Sequence, residues 1–317
     1  MKKTIIIIVG VVCFLLAAIC VVANILLETA VHPKDNKTRN VDACYQYAYD
    51  KYPEMKVWRD SLEAHGLWRD TIVVAADGLK RHAVILEHDS VPTGSTVVVH
   101  GYTDNAGVMM RYFYLHYEKL GRNVLVPELF AHGESEGDHI RFGWLDRLDC
   151  ANLWLPLAHE LWPELNLVQH GLSMGAATTM FTSGEDIPDS LNVTAFIEDC
   201  GYDSTWGELK HNLKGMGLPA FPILHVASIL SKIKYGWSIK ESDSAPQLAK
   251  CTKPMLFIHG DADDFVPTEM VYKNYDAKIS GYKEMLIVPG AAHAQSIHNA
   301  WDEYVQKVEN FLAKVEQ

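Results

Sequence analysis

The sequence predicts an α/β protein built on a mostly parallel sheet of eight strands, with helices on both faces. Eight short runs rich in apolar and β-branched residues recur along the chain, and segments with apolar residues at helical three-and-four spacing separate the later runs. Strands that alternate with helices in this way form parallel sheets covered on both faces. The 317 residues, of which 48% are hydrophobic, suffice for one large domain with attachments.

The predicted strands contain, in chain order, the runs TIVVAA, HAVILEH, STVVVHG, NVLVPEL, LNLVQHG, VTAFIED, PMLFIHG and EMLIVPG. The segment AADGLK joins the first two runs. Because Asp-Gly is a strong two-residue turn signal, we expect these two strands to be antiparallel. The predicted helices include VMMRYFYLHYEKLG, RLDCANLWLPLAHELW and WDEYVQKVENFLAKVE. We assign the main domain to residues 70–317.

The N-terminal segment, residues 1–28, is predicted to be a transmembrane anchor or a signal peptide. After MKKT, the run IIIIVGVVCFLLAAICVVANILL is long enough to cross a bilayer core, which takes about 20 apolar residues. Lys2 and Lys3 favour a cytoplasmic N-terminus, which places the main domain outside the cytoplasm. Cleavage after Val21-Val22-Ala23 would instead give a secreted or periplasmic protein. The apolar run continues through Leu27 and favours the uncleaved anchor.

Residues 29–69 are expected to form a linker and N-terminal helices. The stretch VHPKDNKTRN is polar and typical of a linker, and VDACYQYAYDKYPEMKVWRDSLEAHG is aromatic-rich and helical in pattern. We expect its aromatic residues to pack on the main domain. The alternative is an aromatic belt at the level of the lipid headgroups.

Charge and cysteine content argue against two classes of partner. The formal net charge is -12 and no basic cluster is present, whereas nucleic-acid binders carry a concentrated basic face. The cysteines outside the N-terminal apolar run are widely spaced and lack the close pairs of a zinc site. They permit disulfides in an oxidising compartment, but buried free thiols fit equally well. We therefore expect no nucleic acid and no metal. Nothing in the sequence indicates a cofactor, and we expect none.

Residues 202–250, between the sixth and seventh strands, interrupt the alternation of strands and helices. MGLPAFPILHVASILSKIKYG is apolar and helical in pattern, and an apolar helical insertion at the strand ends is a natural cap over a pocket. Leu218, Phe221 and Leu224 are its candidate pocket residues. The alternative is that these helices belong to the ordinary core.

The fifth strand runs directly into Gly171-Leu172-Ser173-Met174-Gly175 and then into small helix-forming residues. This strand, turn and helix is the context of a nucleophile elbow, in which flanking glycines let the chain turn sharply and the serine hydroxyl projects above the sheet. A serine is inert at neutral pH unless a base takes its proton. The pattern therefore requires a histidine and an orienting carboxylate elsewhere.

Both groups follow at the ends of the last two strands. The seventh strand ends in DADDFVP, which offers three aspartates, and the eighth is followed by His293 in AAHAQS. The carboxyl ends of parallel strands meet at one edge of a sheet, where ligands bind. The chain order of Ser173, an aspartate and His293 is the order found in α/β-hydrolases.

From about residue 70 onward the chain resembles an α/β-hydrolase-fold serine hydrolase, on VVVHGYTDN, NVLVPELFAHGESEG, HGLSMGAA, HGDADDFVP and GAAHAQS. Within that superfamily it looks closest to bacterial membrane-anchored or exported members. The resemblance implies Ser173 as nucleophile, His293 as general base and Asp263 as the acid. It also implies an oxyanion hole made by the backbone N–H groups of Met174 and Tyr102.

The resemblance implies acyl transfer to water through an acyl-enzyme. The apolar residues of the predicted cap favour acyl esters over charged peptides, so we expect a carboxylesterase or acylhydrolase that acts on a small-molecule or lipid-like acyl substrate. Thr103 is a further candidate for the substrate pocket. The same fold also supports peptidases, amidases and thioesterases, which remain open alternatives. A non-enzymatic relative that binds at a membrane surface is a more remote one, because a degenerate set of catalytic residues would be expected there.

Overall fold

The computed structural model describes residues 2–33 and 39–316; residues 34–38 of the predicted linker lie outside the described part. The strands are β1 (Trp68–Val74), β2 (Lys80–Leu86), β3 (Gly94–Val99), β4 (Arg122–Pro127), β5 (Leu167–Leu172), β6 (Val193–Asp199), β7 (Met255–Gly260) and β8 (Lys283–Val288). They form one sheet in the order β1-β2-β4-β3-β5-β6-β7-β8. β2 is antiparallel to both neighbours and all other pairs are parallel, which confirms the predicted sheet and its antiparallel start.

The helices are α1 (Lys2–Val31), α2 (Val41–Lys51), α3 (Glu54–Ala64), α4 (Met110–Tyr114), α5 (Asp146–Asp149), α6 (Leu155–Leu161), α7 (Met174–Thr182), α8 (Thr205–Gly215), α9 (Ile223–Tyr235), α10 (Ser244–Lys250), α11 (Glu269–Ala277), α12 (Ser296–Asn299) and α13 (Trp301–Val315). π-Helical turns extend α4 and precede α6, over Leu115–Lys119 and Cys150–Trp154.

Apolar side chains fill both faces of the sheet because successive strand residues point to opposite sides. On β3, Val97 and Val99 join a cluster with α6, α7 and α11, whereas Val98 joins a second cluster with α4 and α13. All three valines are fully buried. The continuous apolar runs seen in the sequence are therefore strands covered on both faces, as predicted.

Helix α1 is long and apolar enough to cross a membrane, and its last turns pack on the main domain. Ala23, Leu27 and Val31 are buried there, while the preceding apolar residues are exposed. Lys234 of α9 donates hydrogen bonds to Asn24 and Glu28 of α1 at 2.5 and 2.6 Å. The C-terminal end of the apolar helix is thus fixed to α9.

The predicted cap insertion consists of α8, α9 and α10 with their connections. Its apolar face packs on α1 and on the main core. Leu224 and Ala227 of α9 share a buried cluster with Ala23 and Leu27 of α1. The apolar residues of this insertion that led to the cap prediction therefore have a packing partner in the N-terminal helix.

Glu128, at the end of β4, is a fully buried carboxylate that joins three parts of the fold. Its oxygens accept the backbone N–H groups of Ala106 and Glu134, at 3.3 and 2.6 Å, and lie 2.9 Å from the ring of His82 on β2. The other nitrogen of His82 lies 3.1 Å from Asp70. Burial alone would lower the pKa of His82, but the two carboxylates outweigh it and raise that pKa to about 10.

We predict that Glu128→Gln destabilises the protein in a pH-dependent way. Loss of the carboxylate leaves a buried imidazolium short of a partner, which costs about 3 kcal/mol. Because the folded pKa of His82 is raised, its stabilising contribution is fully present below its unfolded pKa of about 6.5 and is lost as the pH rises through about 10. The free energy of unfolding should therefore differ between wild type and variant more at pH 6 than at pH 10.

Glu134→Gln is the matched control, because the side chain of Glu134 lies near the same histidine but is 63% exposed. We expect it to change the free energy of unfolding by less than about 0.5 kcal/mol. A loss in Glu128→Gln that is equal at both pH values would contradict a charged His82.

Candidate active site

Ser173 stands at a sharp turn between β5 and α7, in a strained backbone conformation. Its φ of 55° and ψ of −116° lie in a region that side chains rarely adopt. A Cβ on Gly171 would lie 2.0 Å from the carbonyl oxygen of Gly175, and a Cβ on Gly175 would lie 2.1 Å from that of Val99 on β3. Only glycine fits at either position, so both flanking glycines are required by the close approach of backbone.

The turn brings Ser173 into hydrogen-bond distance of the predicted base. Ser173 Oγ lies 2.8 Å from His293 Nε2, and His293 Nδ1 lies 2.8 Å from Asp263 Oδ2. His293 follows β8 and Asp263 follows β7, so three separate strand ends supply the chain of contacts. These distances match those of a nucleophile, a base and the group that orients the base.

The surroundings of Asp263 keep its carboxylate ionised. Burial of this side chain would raise its pKa, but hydrogen bonds with His259 and His293, and from the backbone N–H of Val266, outweigh burial and lower the pKa to about 2. Its Oδ1 also accepts the N–H of Phe265 at 3.0 Å. A carboxylate held in this way remains charged at neutral pH and can stabilise a positive charge on His293.

The other two aspartates of DADDFVP have different positions. Asp261 accepts the backbone N–H of Gly290 at 2.6 Å, and Asp264 is exposed, with its backbone carbonyl 2.9 Å from His211. Of the three, it is Asp263 whose carboxylate lies against His293. The structure thus brings together the three residues that the resemblance selected.

Of the two predicted oxyanion residues, Met174 adjoins Ser173 in the chain and Tyr102 lies in the loop that lines the same cavity. Met174 begins α7 directly after the serine, and Tyr102 follows β3 in the adjacent loop. The phenol of Tyr102 donates a hydrogen bond to the carbonyl of Ala30 at 2.7 Å, and its ring stacks on Phe142 at 5.5 Å. This loop is therefore tied to the end of α1, and the role of its N–H in an oxyanion hole stays a prediction.

A cavity of about 850 Å³ opens in front of Ser173 and His293. Tyr102 and the pocket candidate Thr103 are among the residues that line it. Its remaining walls come from α2, α4 and α12 with the loops beside them, from the end of β5 and from the loop after β7. The aromatic-rich α2 therefore packs on the main domain and at the same time forms a wall of this cavity.

The structure does not bring the other pocket candidates into the lining of this cavity. Leu224 lines a second cavity of about 80 Å³ with Leu26 and Leu27 of α1. Phe221 is 72% exposed and Leu218 is half-buried against the main core. These residues had a helical apolar pattern, which indicates burial but does not identify the partner that buries them.

Asp104 is a residue of the cavity that the sequence analysis missed. A Cβ on Gly101 would lie 2.7 Å from Asp104 Oδ2 and 3.4 Å from the Cβ of Ser173, which places this carboxyl group beside the nucleophile. Burial raises the pKa of Asp104 to about 7, although His293 acts in the opposite direction. Below neutral pH the group is mostly uncharged and adds no negative charge next to the serine. In the sequence, Asp104 directly follows HGYT, the segment after β3 that contains the predicted oxyanion residue Tyr102. This position could have indicated that Asp104 lies near Ser173.

Cys200, Asp263 and His293 place three potential metal-binding atoms within 4.8 Å of one another. Burial raises the pKa of the Cys200 thiol well above its usual value, which disfavours the thiolate that binds metals. Asp263 and His293 are already joined to each other and to Ser173. The arrangement fits proton transfer better than metal binding. All six cysteines of the chain are free thiols.

Comparison with known proteins finds relatives both by sequence and by structure. No protein-family model matches the chain. The chain is similar to the uncharacterised protein YqkD of Bacillus subtilis (strain 168), with 28% identity over 229 residues that cover 72% of this chain and 73% of the relative.

Two solved structures illustrate the structural similarity. An esterase of Pyrococcus furiosus superposes with a TM-score of 0.63 at 20% identity, over 78% of this chain and 91% of its own. An α/β hydrolase from a Penicillium species superposes with a TM-score of 0.60 at 13% identity, over 78% and 98%. Together with the order and directions of the eight strands, these matches show that the main domain has the α/β-hydrolase fold.

Proposed function

We propose that this protein is a serine hydrolase that cleaves carboxylic esters through an acyl-enzyme. The observation that carries the proposal is the chain of two 2.8 Å contacts from Ser173 through His293 to Asp263, built on a glycine-flanked elbow. A buried carboxylate, a histidine and a serine at the carboxyl edge of the sheet, in this order, form the arrangement that activates a hydroxyl for attack.

In the proposed mechanism, Ser173 Oγ attacks the substrate carbonyl while His293 Nε2 accepts its proton. Asp263 stabilises the imidazolium, helped by a pKa of about 2 that keeps its charge. The backbone N–H groups of Met174 and Tyr102 stabilise the oxyanion. The protonated His293 then gives its proton to the departing alcohol, and water repeats the attack on the acyl-enzyme with His293 again as base.

The lining of the cavity favours an ester of an apolar acyl or alcohol group. Tyr47, Val108, Met110, Leu172 and Phe265 contribute apolar and aromatic surface around the serine. A volume of about 850 Å³ lies within the range of small-molecule sites, roughly 300–1,000 Å³. Peptidase, amidase and thioesterase activities use the same catalytic residues, so turnover measurements decide among them. The structural relatives include an esterase, and this is consistent with our choice.

We further propose that α1 anchors the protein in a membrane, with the main domain outside the cytoplasm. Its exposed apolar residues precede the turns that pack on α9, so the exposed part can be surrounded by lipid while the packed part holds the domain at the surface. Tyr235 strengthens this junction, because its phenol donates to Glu28 at 2.9 Å.

We predict that a fluorophosphonate probe labels the wild-type protein and that Ser173→Ala abolishes labelling. The probe reacts with a serine only when a neighbouring base activates it, and Ser173 is 2.8 Å from His293. Labelling is read by fluorescence after gel separation. Ser280→Ala is the control, because Ser280 is an exposed serine outside the cavity lining, and it should label like the wild type. A folded wild type that does not label would refute the serine-hydrolase proposal.

We predict that Asp263→Asn lowers kcat for a p-nitrophenyl ester by roughly 10³-fold to 10⁴-fold, because the amide cannot hold His293 in the tautomer that accepts the serine proton. The neighbouring Asp264→Asn should retain wild-type turnover, since Asp264 is exposed. Equal losses in the two variants would contradict the assignment of Asp263.

The same assay distinguishes esters from amides when aminoacyl-nitroanilides are added to the panel. We expect the esters to be cleaved faster. Faster turnover of the nitroanilides would favour a peptidase or amidase on the same catalytic residues.

We predict that the full-length chain stays in the membrane fraction after an alkaline carbonate wash. Protease added outside the intact cytoplasmic membrane should digest its main domain. A variant that lacks residues 1–22, and so keeps the packed turns from Ala23 onward, should be released into the soluble fraction. A shortened wild-type product in the soluble fraction would show that the segment is a cleaved signal peptide.

A further inference from the structure

The cavity that contains Ser173 also holds two basic side chains, Lys51 and Arg111, which we call the cation pair. Lys51 is the last residue of α2 and Arg111 lies on α4, and both line the cavity. The chain as a whole carries a net charge of -12, so two cations in one largely apolar cavity are not explained by overall composition. The proposed ester hydrolysis does not use either of them.

Arg111 is held in place by two aromatic rings. Its guanidinium carbon lies 3.5 Å from the ring centroid of Trp301 and 4.7 Å from that of Tyr52. A guanidinium stacked on an aromatic ring keeps its N–H groups in a fixed plane, a geometry suited to the two oxygens of a carboxylate or phosphate. Its Nε is buried and has no hydrogen-bond partner within the described chain.

The charges around the cation pair leave this part of the cavity positive. Within residues 2–33 and 39–316, no carboxylate forms an ion pair with Lys51 or Arg111. Glu54 and Asp302 are near enough to favour the charged form of Arg111, but burial has the larger effect on its pKa and lowers it. Lys51 contacts the neutral side chain of Gln295 at 3.4 Å.

His298 is a neutral neighbour of the cation pair. Burial, and then the positive charges of Lys51 and Arg111, lower the pKa of His298 to about 4. Its Nδ1 lies 2.7 Å from the phenol of Tyr52. His298 is therefore uncharged at neutral pH, mainly because it is buried and in addition because the two cations disfavour a third positive charge beside them.

We propose that the cation pair binds an anionic oxygen group, a carboxylate or a phosphate, on the substrate whose ester bond Ser173 cleaves. This inference rests on the proposed function and narrows its substrate class to esters with an apolar or aromatic body and one anionic end. The body lies along the apolar lining, the ester carbonyl reaches Ser173, and the anion pairs with Arg111 and Lys51.

The test compares matched p-nitrophenyl esters of one length on the full-length protein. Mono-p-nitrophenyl octanedioate carries a free carboxylate, its methyl ester is the neutral counterpart, and p-nitrophenyl 6-(phosphonooxy)hexanoate carries a phosphate at the same distance from the scissile carbonyl. We expect kcat/KM for an anionic ester to exceed that for the neutral one by about tenfold, since a hydrogen-bonded charge pair contributes roughly that much. Whichever anionic ester gives the higher ratio to the neutral one shows whether the cation pair prefers a carboxylate or a phosphate. Added salt should lower this ratio because it screens the charges.

Variants assign the preference to the cation pair. Lys51→Gln and Arg111→Gln should each lower the ratio of anionic to neutral kcat/KM, and the double variant should bring it to about 1. Lys51→Glu should bring it below 1. Arg111→Lys keeps the positive charge but loses the paired N–H donors of the guanidinium, and it should retain part of the preference for the anionic ester. Lys56→Gln is the control, because Lys56 is exposed and pairs with Asp60 outside the cavity lining.

A variant that is damaged in general loses activity on both esters, so the ratio of anionic to neutral kcat/KM reports anion recognition alone. Because Lys51 is exposed, we expect its variants to fold, and they test the proposal even if Arg111→Gln does not fold. A wild-type ratio near 1, or a ratio unchanged in both Lys51→Gln and Arg111→Gln, would overturn this inference. If the neutral ester is cleaved in that case, ester hydrolysis stands and only the anion preference is wrong. If no ester is cleaved and Ser173 does not react with a fluorophosphonate, the proposed function fails and this inference falls with it.

Discussion

The close approach of three backbone segments at the elbow is the constraint on which the site depends. β3 passes so near α7 that position 175 has no room for a Cβ, and the carbonyl of Gly175 leaves none at position 171. The chain between them turns through a positive φ at Ser173, which lifts its Oγ above the sheet edge toward His293. A fold that packed these strands less closely would not require the strain or present the hydroxyl in this way.

Charge placement around the elbow follows from burial and partners. Asp263 is ionised because two histidines and two backbone N–H groups surround it, whereas Asp104, also beside the serine, has its pKa raised to about 7 by burial. The charge of Asp263 therefore lies against His293, whereas Asp104 is about half-ionised at pH 7 and mostly uncharged below it. The cation pair lies in the same cavity and is separate from this set of groups.

Much of the fold, and the three side chains that meet at the candidate site, could be predicted because their signals are local. Strand runs, the Asp-Gly turn and the glycines around Ser173 each reflect short-range geometry, and the choice of Asp263 among three aspartates followed from a family pattern. The cavity walls could not be predicted, since helical periodicity marks Leu224 as buried without identifying α1 as its partner. The presence of Lys51 and Arg111 in one cavity likewise depends on how α2 and α4 pack, and no residue spacing in the sequence indicates that packing.

The most direct test of the central claim is to trap the acyl-enzyme. The protein would be mixed with excess p-nitrophenyl ester, quenched in acid within milliseconds to seconds, digested and mapped by mass spectrometry. We expect the acyl mass on the peptide that contains Ser173, at a level that rises with the initial burst of p-nitrophenol. Turnover of the ester with no acyl group on that peptide, or with the group on another residue, would contradict Ser173 as the nucleophile.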